Sequence, residues 1–142
     1  MAATSVQDEI LHILETDAKA SYGEIADKVG VSKPTVRKYI NKLETEGIIT
    51  GYAAEIDPKK LAGQTIAIVG IEVKSECYVE AADALKSLDT IRSLYTSSGD
   101  HMLMAEVRGQ DGDEVGRIIR EEIIPIDGVI EAHPSFLQER LK

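Results

Sequence analysis

The segment from Ser21 to Asn41, SYGEIADKVGVSKPTVRKYIN, constrains the fold of this chain more than any other. In its first half, Ile25, Ala26 and Val29 have the spacing of one face of a short helix. Gly30 favours the end of that helix, because glycine adopts the left-handed C′ conformation at low cost. The first half therefore predicts a short helix that stops at Gly30.

The second half predicts another helix with two unlike faces. Ser32 is a suitable N-cap, and Pro34 falls in the first turn, where the missing N–H of proline costs nothing. Apolar residues recur at helical spacing and should be buried: Val36, Ile40 and Leu43. The outward residues of this helix are largely polar and basic: Lys33, Thr35, Arg37, Lys38, Tyr39, Asn41 and Lys42. Two helices joined by a glycine turn, with a basic second helix, are typical of the helix-turn-helix motif of the DNA major groove.

The charge distribution favours a local contact with DNA. The 142-residue chain has a formal net charge of −9, which would repel a polyanion if it were spread evenly. Four basic residues nevertheless lie together on the second helix: Lys33, Arg37, Lys38 and Lys42. A basic helix on an acidic body indicates a specific DNA contact. Because so few basic contacts hold one copy weakly at physiological salt, we expect two or more copies per DNA site.

The remaining composition predicts a soluble, cytoplasmic protein with no cofactor and no membrane partner. The single cysteine, Cys77, excludes an internal disulfide and fits a reducing compartment. No apolar run approaches the roughly 18 residues of a membrane-spanning helix, and the N-terminus lacks the features of a signal peptide.

The residues around the motif complete a winged helix-turn-helix domain over residues 1–50. A preceding helix is predicted, with Ser5 or Thr4 as its cap, from the spacing of Val6, Ile10, Ile13 and Leu14. After the motif, a strand is expected from Ile48, and the segment to Tyr52 looks like a wing whose backbone N–H groups can meet phosphates. Residues 51–63 are interpreted as a hinge, with a short helical turn at Pro58 to Leu61.

From Gln64 onward the pattern changes to alternating strands and helices. Strands are expected at Thr65–Val73, Ile91–Thr96, His101–Val107 and Val129–Leu137. One helix is expected between the first and second strands, and another between the third and fourth. The first of these helices should bury Val79, Ala82, Leu85 and Leu88. The order β-α-β-β-α-β predicts an α+β, ferredoxin-like domain over residues 64–142, with both helices on one face of an antiparallel sheet. The other face should expose Ile66, Ile68, Leu103 and Phe136, and a second copy is expected to cover it.

Three segments carry a resemblance to a known family. They are Glu24 to Gly63, EIADKVGVSKPTVRKYINKLETEGIITGYAAEIDPKKLAG; Thr96 to Leu103, TSSGDHML; and Ile126 to Phe136, IDGVIEAHPSF. In this order the chain resembles, over nearly its whole length, the Lrp/AsnC or feast/famine family of leucine-responsive regulatory proteins. The resemblance implies a transcriptional regulator, not an enzyme, with a RAM-type second domain. It also implies homodimers that assemble into higher oligomers and bind a small effector, usually an amino acid, between dimers.

The resemblance also assigns site residues. It gives the DNA-binding residues Ser32, Pro34, Thr35, Arg37, Lys38 and Asn41, to which the basic residues Lys33 and Lys42 are added as phosphate contacts. It gives the effector-binding residues Ser98, Gly99 and Asp100, to which the neighbouring Thr96, Ser97 and His101 are added. Arg37 and Asn41 have the bidentate geometry that reads guanine and adenine, whereas the lysines are expected at phosphates.

Several alternatives remain open at this stage. Ser98, Gly99 and Asp100 also suit an ordinary hairpin turn. His101 and His133 could bind a metal, although such a site needs further ligands. The chain could instead be a ligand-independent architectural DNA-binding protein, or an enzyme like the sirohaem decarboxylases, which resemble this layout; a Soret band would identify the latter.

Overall fold

The computed structural model describes residues 5–57, 60, 64–139 and 141. The chain divides into two compact units, of which the first ends at Glu55 and the second begins at Ile56. The helical turn predicted at Pro58 to Leu61 and the alternative cap Thr4 lie outside the described residues. The hinge at residues 51–63 stays a prediction.

The first unit contains three helices: α1 at Val6–Thr16, α2 at Tyr22–Val29 and α3 at Lys33–Thr45. Each follows a serine N-cap whose hydroxyl accepts a backbone N–H of the first turn: Ser5, Ser21 and Ser32. Between α2 and α3, Gly30 has a φ of 78° and donates its N–H to the carbonyl of Ala26 at 2.9 Å. The local signals at Gly30 and Ser32 therefore produce the turn that the sequence predicts.

The core of this unit comes from one face of each helix. Its buried members are Ile10, Ile25, Ala26, Val36 and Ile40. Leu43, one turn further along α3, is also fully buried. This confirms the apolar spacing and leaves the opposite face of α3 outward.

The strand predicted from Ile48 is wrong for this structure. Residues 48–52 follow α3 without forming a strand, and Ile49 packs partly buried against the core of the first unit. A strand needs a neighbour for its backbone hydrogen bonds, and the described residues of this unit contain no other strand. The N–H groups of Ile48 and Ile49 instead donate to the Leu43 carbonyl, at 2.9 and 3.1 Å, and close the end of α3.

The second unit has the predicted order of elements. Its strands are β1 at Thr65–Val73, β2 at Ile91–Thr96, β3 at Leu103–Gly109 and β4 at Val129–Phe136. Its helices are α4 at Tyr78–Lys86, after a 3-10 turn at Ser75–Cys77, and α5 at Gly112–Ile118, continued by a π-helical turn at Ile119–Ile123. The antiparallel sheet has the order β2-β3-β1-β4. The α+β, ferredoxin-like class is confirmed.

One face of the sheet packs on the helices. Alternate residues of β1 are buried there, from Ala67 to Val73, together with Leu85 of α4 and Val115 of α5. Helix α4 buries Leu85 as predicted, and Ala82 and Leu88 pack partly buried against the core. Val79 was predicted wrongly, because it is 65% exposed and Ala81 is buried instead, one turn before Leu85.

The predicted composition of the other sheet face is half wrong. Ile66 and Ile68 face away from the helices, but Ile66 is already buried at 8% exposure and Ile68 is half-buried. Leu103 is 1% exposed within the helix-side core, because it pairs with Ile71 of that core and paired residues point to the same face of a sheet. Phe136 pairs with Ala67, and its ring lies close to Gly112 at the start of α5, which is also the helix side. Strand β3 begins two residues later than predicted, which leaves the alternation of its faces unchanged.

Candidate nucleic-acid interface and effector site

The outward face of α3 forms a groove together with the start of α2. The groove has a volume of about 560 Å³ and is lined by Tyr22, Lys33, Pro34, Arg37, Lys38 and Asn41. Three of its six lining residues are basic, in a chain of net charge −9. The structure thus brings five of the eight predicted DNA-binding residues into one surface.

The other three predicted residues have local partners. The Ser32 hydroxyl accepts the Thr35 N–H at 3.3 Å and lies 2.8 Å from the Thr35 hydroxyl, so both side chains take part in the first turn of α3. The Lys42 ammonium lies 3.8 Å from a carboxylate oxygen of Glu46. Such an exposed pair is weak and can exchange for a phosphate.

Two outward positions of the sequence prediction are partly inside the protein. Thr35 is half-buried, and Tyr39 packs partly buried against the core of the first unit. Tyr39 lies three residues after Val36, which puts it beside the buried stripe of α3. The surface that remains for a ligand is narrower than predicted and centres on Arg37 and Asn41.

Tyr22 is the lining residue that sequence reasoning missed. The Arg37 guanidinium carbon lies over its ring, 5.6 Å from the ring centroid. Tyr22 is the first residue of α2 and is 37% exposed. An exposed aromatic residue at the start of the first motif helix is the available signal, but its distance from α3 could not be read from the sequence.

Tyr52 contacts the C-terminal end of α3. Its hydroxyl donates a hydrogen bond to Glu44 Oε1 at 2.9 Å. Burial, and then this hydrogen bond to a carboxylate, raise the pKa of Tyr52 to about 12. The phenol therefore stays neutral over the whole physiological range of pH.

A second cavity of the first unit has a different character. It measures about 650 Å³ and lies between the end of α1 and residues 48–55. Lys19 is the one basic residue among its described lining residues. Its lining does not suit a polyanion.

The predicted effector residues lie where β2 leads into β3. Thr96 ends β2, and residues 97–100 form an exposed turn. The Ser97 N–H donates to the Met102 carbonyl at 2.9 Å, and the Gly99 N–H donates to the Ser97 hydroxyl at 3.1 Å. The structure brings Thr96 to Asp100 together as one accessible loop.

His101 lies apart from that loop, against the sheet. Its Nδ1 is 3.0 Å from Glu72 Oε1, and its ring lies over Gly70 of β1. The ring also stacks on His133 of β4, with centroids 5.3 Å apart and an angle of 26° between the planes. His133 Nε2 in turn lies 2.9 Å from Glu131 Oε2. These contacts anchor His101 on the sheet rather than presenting it to the loop.

The stacked histidines do not form a metal site. Stacked rings point their nitrogens sideways, toward separate glutamates, instead of toward one common point. No group of three or more histidine, cysteine, aspartate or glutamate residues within the described ranges could hold a metal ion. Those ranges also contain no helix with the length and apolar character needed to cross a membrane.

Comparison with known proteins agrees with both units. A family profile described as winged helix-turn-helix DNA-binding matches residues 9–50, and one described as Lrp/AsnC ligand binding domain matches residues 66–142. HTH-type transcriptional regulator LrpA1 of Halobacterium salinarum is 61% identical over 142 residues, which cover 100% of both chains. HTH-type transcriptional regulator LrpA of Pyrococcus horikoshii is 44% identical over 133 residues, 94% of each chain.

A solved structure of the same family also resembles this fold. The structure of AsnC from E. coli superposes with a TM-score of 0.76 at 27% identity, covering 96% of this chain and 93% of the other. The relatives are transcriptional regulators, and they leave the sirohaem-decarboxylase alternative without support. The chain belongs to the Lrp/AsnC family and is an effector-modulated, DNA-binding transcriptional regulator.

Proposed function

We propose that α3 is the element that reads DNA, with Arg37 and Asn41 at base edges. The observation that carries this proposal is the shared groove, in which both side chains lie exposed between Lys33 and Lys38. Guanidinium and amide groups make the bidentate contacts that distinguish guanine and adenine in the major groove. Lys33 and Lys38 flank them and are suited to phosphates.

The remaining predicted DNA contacts have supporting roles in this proposal. Ser32, Pro34 and Thr35 form the first turn of α3, where backbone N–H groups and the positive end of the helix favour a phosphate. Lys42 leaves Glu46 for a phosphate when DNA is bound. Two copies on a two-fold axis would then recognise a pseudo-palindromic operator.

The test of this proposal compares three full-length variants in quantitative footprinting. Arg37→Ala should reduce discrimination at one base pair of each half-site by about 1–3 kcal/mol. Lys38→Ala should instead weaken binding to all sequences alike and lower the slope of log affinity against log salt by about 1. If a folded Lys33→Ala/Arg37→Ala/Lys38→Ala variant still footprints like the wild type, α3 is not the reading element.

We further propose that the loop from Thr96 to Asp100 binds the effector, and that the effector is an amino acid. The loop is exposed and carries hydroxyls beside the small residue Gly99. The Asp100 carboxylate makes no hydrogen bond or ion pair within the part of the chain that the structure describes, so it is available to an α-ammonium group. His101, held by Glu72, supports the loop from the sheet.

We propose that this loop lies at a contact between copies of the chain. We propose homodimers that cover Ile68 on the open sheet face, and higher oligomers whose contacts the effector alters. A ligand shifts such an assembly only by its difference in affinity for the two states. The protein would act in the cytoplasm, on the DNA that it binds.

Calorimetry with each amino acid at millimolar concentration tests the effector, and analytical ultracentrifugation with and without the binding compound tests the assembly. We expect heat of binding and a changed sedimentation profile with the same compound. If no amino acid gives measurable heat, the effector belongs to another chemical class.

A further inference from the structure

We propose that Tyr22 is a positioning residue for base recognition, whose ring holds the Arg37 guanidinium ready for a guanine in the major groove. The inference rests on the proposed role of Arg37 in reading DNA. It adds a residue of α2 to a surface that otherwise belongs to α3.

The contact between the two side chains is a cation–π interaction. The guanidinium carbon of Arg37 lies over the Tyr22 ring at 5.6 Å from its centroid, within the roughly 6 Å at which the ring quadrupole attracts a cation. Arg37 makes no ion pair with a carboxylate within the described residues. The ring is therefore the contact that restrains the guanidinium before DNA arrives.

The ring itself is held in place by the start of α2. The Ser21 hydroxyl accepts the Glu24 N–H at 3.2 Å, and Glu24 Oε2 accepts the Ser21 N–H at 2.7 Å. This reciprocal cap fixes the first turn, in which Tyr22 is the first residue. The next residue, Gly23, faces the Lys33 side chain, whose Cε would lie 3.0 Å from a Cβ at that position. The starts of α2 and α3 therefore share one surface, on which Tyr22 meets Arg37.

The geometry leaves the donors of Arg37 free for a base. A guanidinium uses its flat face toward an aromatic ring, whereas its N–H groups point outward in its own plane. Two of those N–H groups can therefore still reach O6 and N7 of guanine. Because the side chain loses less rotamer freedom when it is already restrained, the ring should raise discrimination rather than general affinity.

The experiment compares Tyr22→Leu, which removes the ring and keeps an apolar side chain, with Tyr22→Phe, which keeps the ring. Fluorescence anisotropy with full-length protein would measure affinity for the operator and for operators changed at single base pairs, over a series of salt concentrations. Tyr22→Leu should lose roughly two- to five-fold of the discrimination at the base pair that Arg37→Ala identifies. Tyr22→Phe should keep it, and the salt dependence should be unchanged in both.

Three results would overturn the inference. They are an equal loss in Tyr22→Leu and Tyr22→Phe, a loss spread over all operators alike, and additive losses when Tyr22→Leu is combined with Arg37→Ala. The last result matters because a residue that acts through Arg37 has nothing left to position in the double variant. If Tyr22→Leu does not fold, Tyr22→Gln removes the ring at the same exposed position and gives the same comparison.

The control variant separates this inference from the proposed function. If Arg37→Ala keeps discrimination at every base pair, the reading role of Arg37 is wrong, and the role of Tyr22 falls with it. If Arg37→Ala loses discrimination while Tyr22→Leu retains it, only the role of Tyr22 is wrong.

Discussion

Individual side chains around α3 differ in how freely they can meet DNA. Lys42 is paired with Glu46, whereas Arg37 rests on a neutral aromatic ring. An exposed ion pair is worth little, but it must still be broken before its lysine can bind a phosphate. A cation over a ring keeps its charge unneutralised. Arg37 is therefore the better prepared of the two cations.

Tyr52 gives a prediction at the residue scale. Burial and the hydrogen bond to Glu44 raise its pKa to about 12, from the ordinary value of 10. A raised pKa means that the interaction stabilises the fold fully below the ordinary value of 10 and is lost as pH rises through about 12. An absorbance titration of tyrosinate should show a step near pH 12, and Tyr52→Phe should remove it. A step near pH 12 that remains in Tyr52→Phe would contradict the assignment.

At the scale of elements, the serine caps decide where the helices of the first unit begin. Ser5 and Ser21 each form a reciprocal box with an acidic residue three positions later, Asp8 and Glu24. Ser32 instead shares its hydroxyl with Thr35 and leaves the first turn of α3 without a carboxylate. The helix that we propose meets DNA is thus the one whose positive end has no acidic residue in its cap.

The cap of α2 gives a prediction that depends on pH. Ser21→Ala removes the hydroxyl that accepts the Glu24 N–H and should lower stability by roughly 1 kcal/mol in thermal unfolding. The hydrogen bonds from the Ser21 backbone and hydroxyl lower the pKa of Glu24 below its usual 4.5. A lowered pKa means that this stabilisation is present above pH 4.5 and is lost as pH falls through the folded value.

The difference between wild type and Ser21→Ala should therefore shrink on acidification. A matched control is Ser87→Ala, because the Ser87 hydroxyl donates to the Ala84 carbonyl and pairs with no carboxylate. The same acid dependence in both variants would show that the cap of α2 is not its source.

Gly99 provides the prediction for the effector loop. It does not have a positive φ, and a Cβ at this position would come no closer than 3.6 Å to the Ser97 hydroxyl. Gly99→Val should therefore fold with little change in Tm. It should nevertheless block the approach of a ligand to the loop backbone, removing the effector's influence on assembly while dimers still bind DNA. Unchanged effector binding by calorimetry would exclude this loop.

At the scale of the whole molecule, the second unit has a core of its own. Its buried residues come from β1, β3 and the helices, including Val69, Ile71, Leu85 and Val107, and belong to a cluster separate from that of the first unit. On the other face of its sheet, Ile66 is buried whereas Ile68 is half-buried. We therefore expect this unit to fold alone and to retain a surface for a second copy.

We predict that a fragment of residues 64–142 folds and dimerises. Because Leu103 and Phe136 lie on the helix side, less apolar surface is available for the dimer than the sequence alone indicates. The dimer should accordingly dissociate at low concentration, within the range that sedimentation can follow. Ile68→Glu, in the middle of β1, should abolish dimerisation while the circular dichroism spectrum is retained. A well-folded monomer of the wild-type fragment at micromolar concentration would contradict the dimer.

The amino-acid sequence by itself determined most helices and strands and the basic face of α3 that we propose meets DNA. Caps, glycine turns and apolar periodicity act within a few residues, which is why α2, the Gly30 turn and α3 were predictable, and why β1 and β2 have their predicted bounds. The basic face of α3 followed from the same periodicity. The segments shared with a known family supplied the effector loop.

Only the tertiary structure decided which distant residues meet. The pairing of Leu103 with Ile71 places Leu103 on the helix side, and neither strand alone specifies this pairing. The contact of Tyr22 with Arg37 and the stacking of His101 on His133 join residues from different elements. Residues 48–52 formed no strand, because a strand depends on a neighbour that this unit does not provide. Each of these outcomes depends on packing and register between separate elements, which local sequence does not specify.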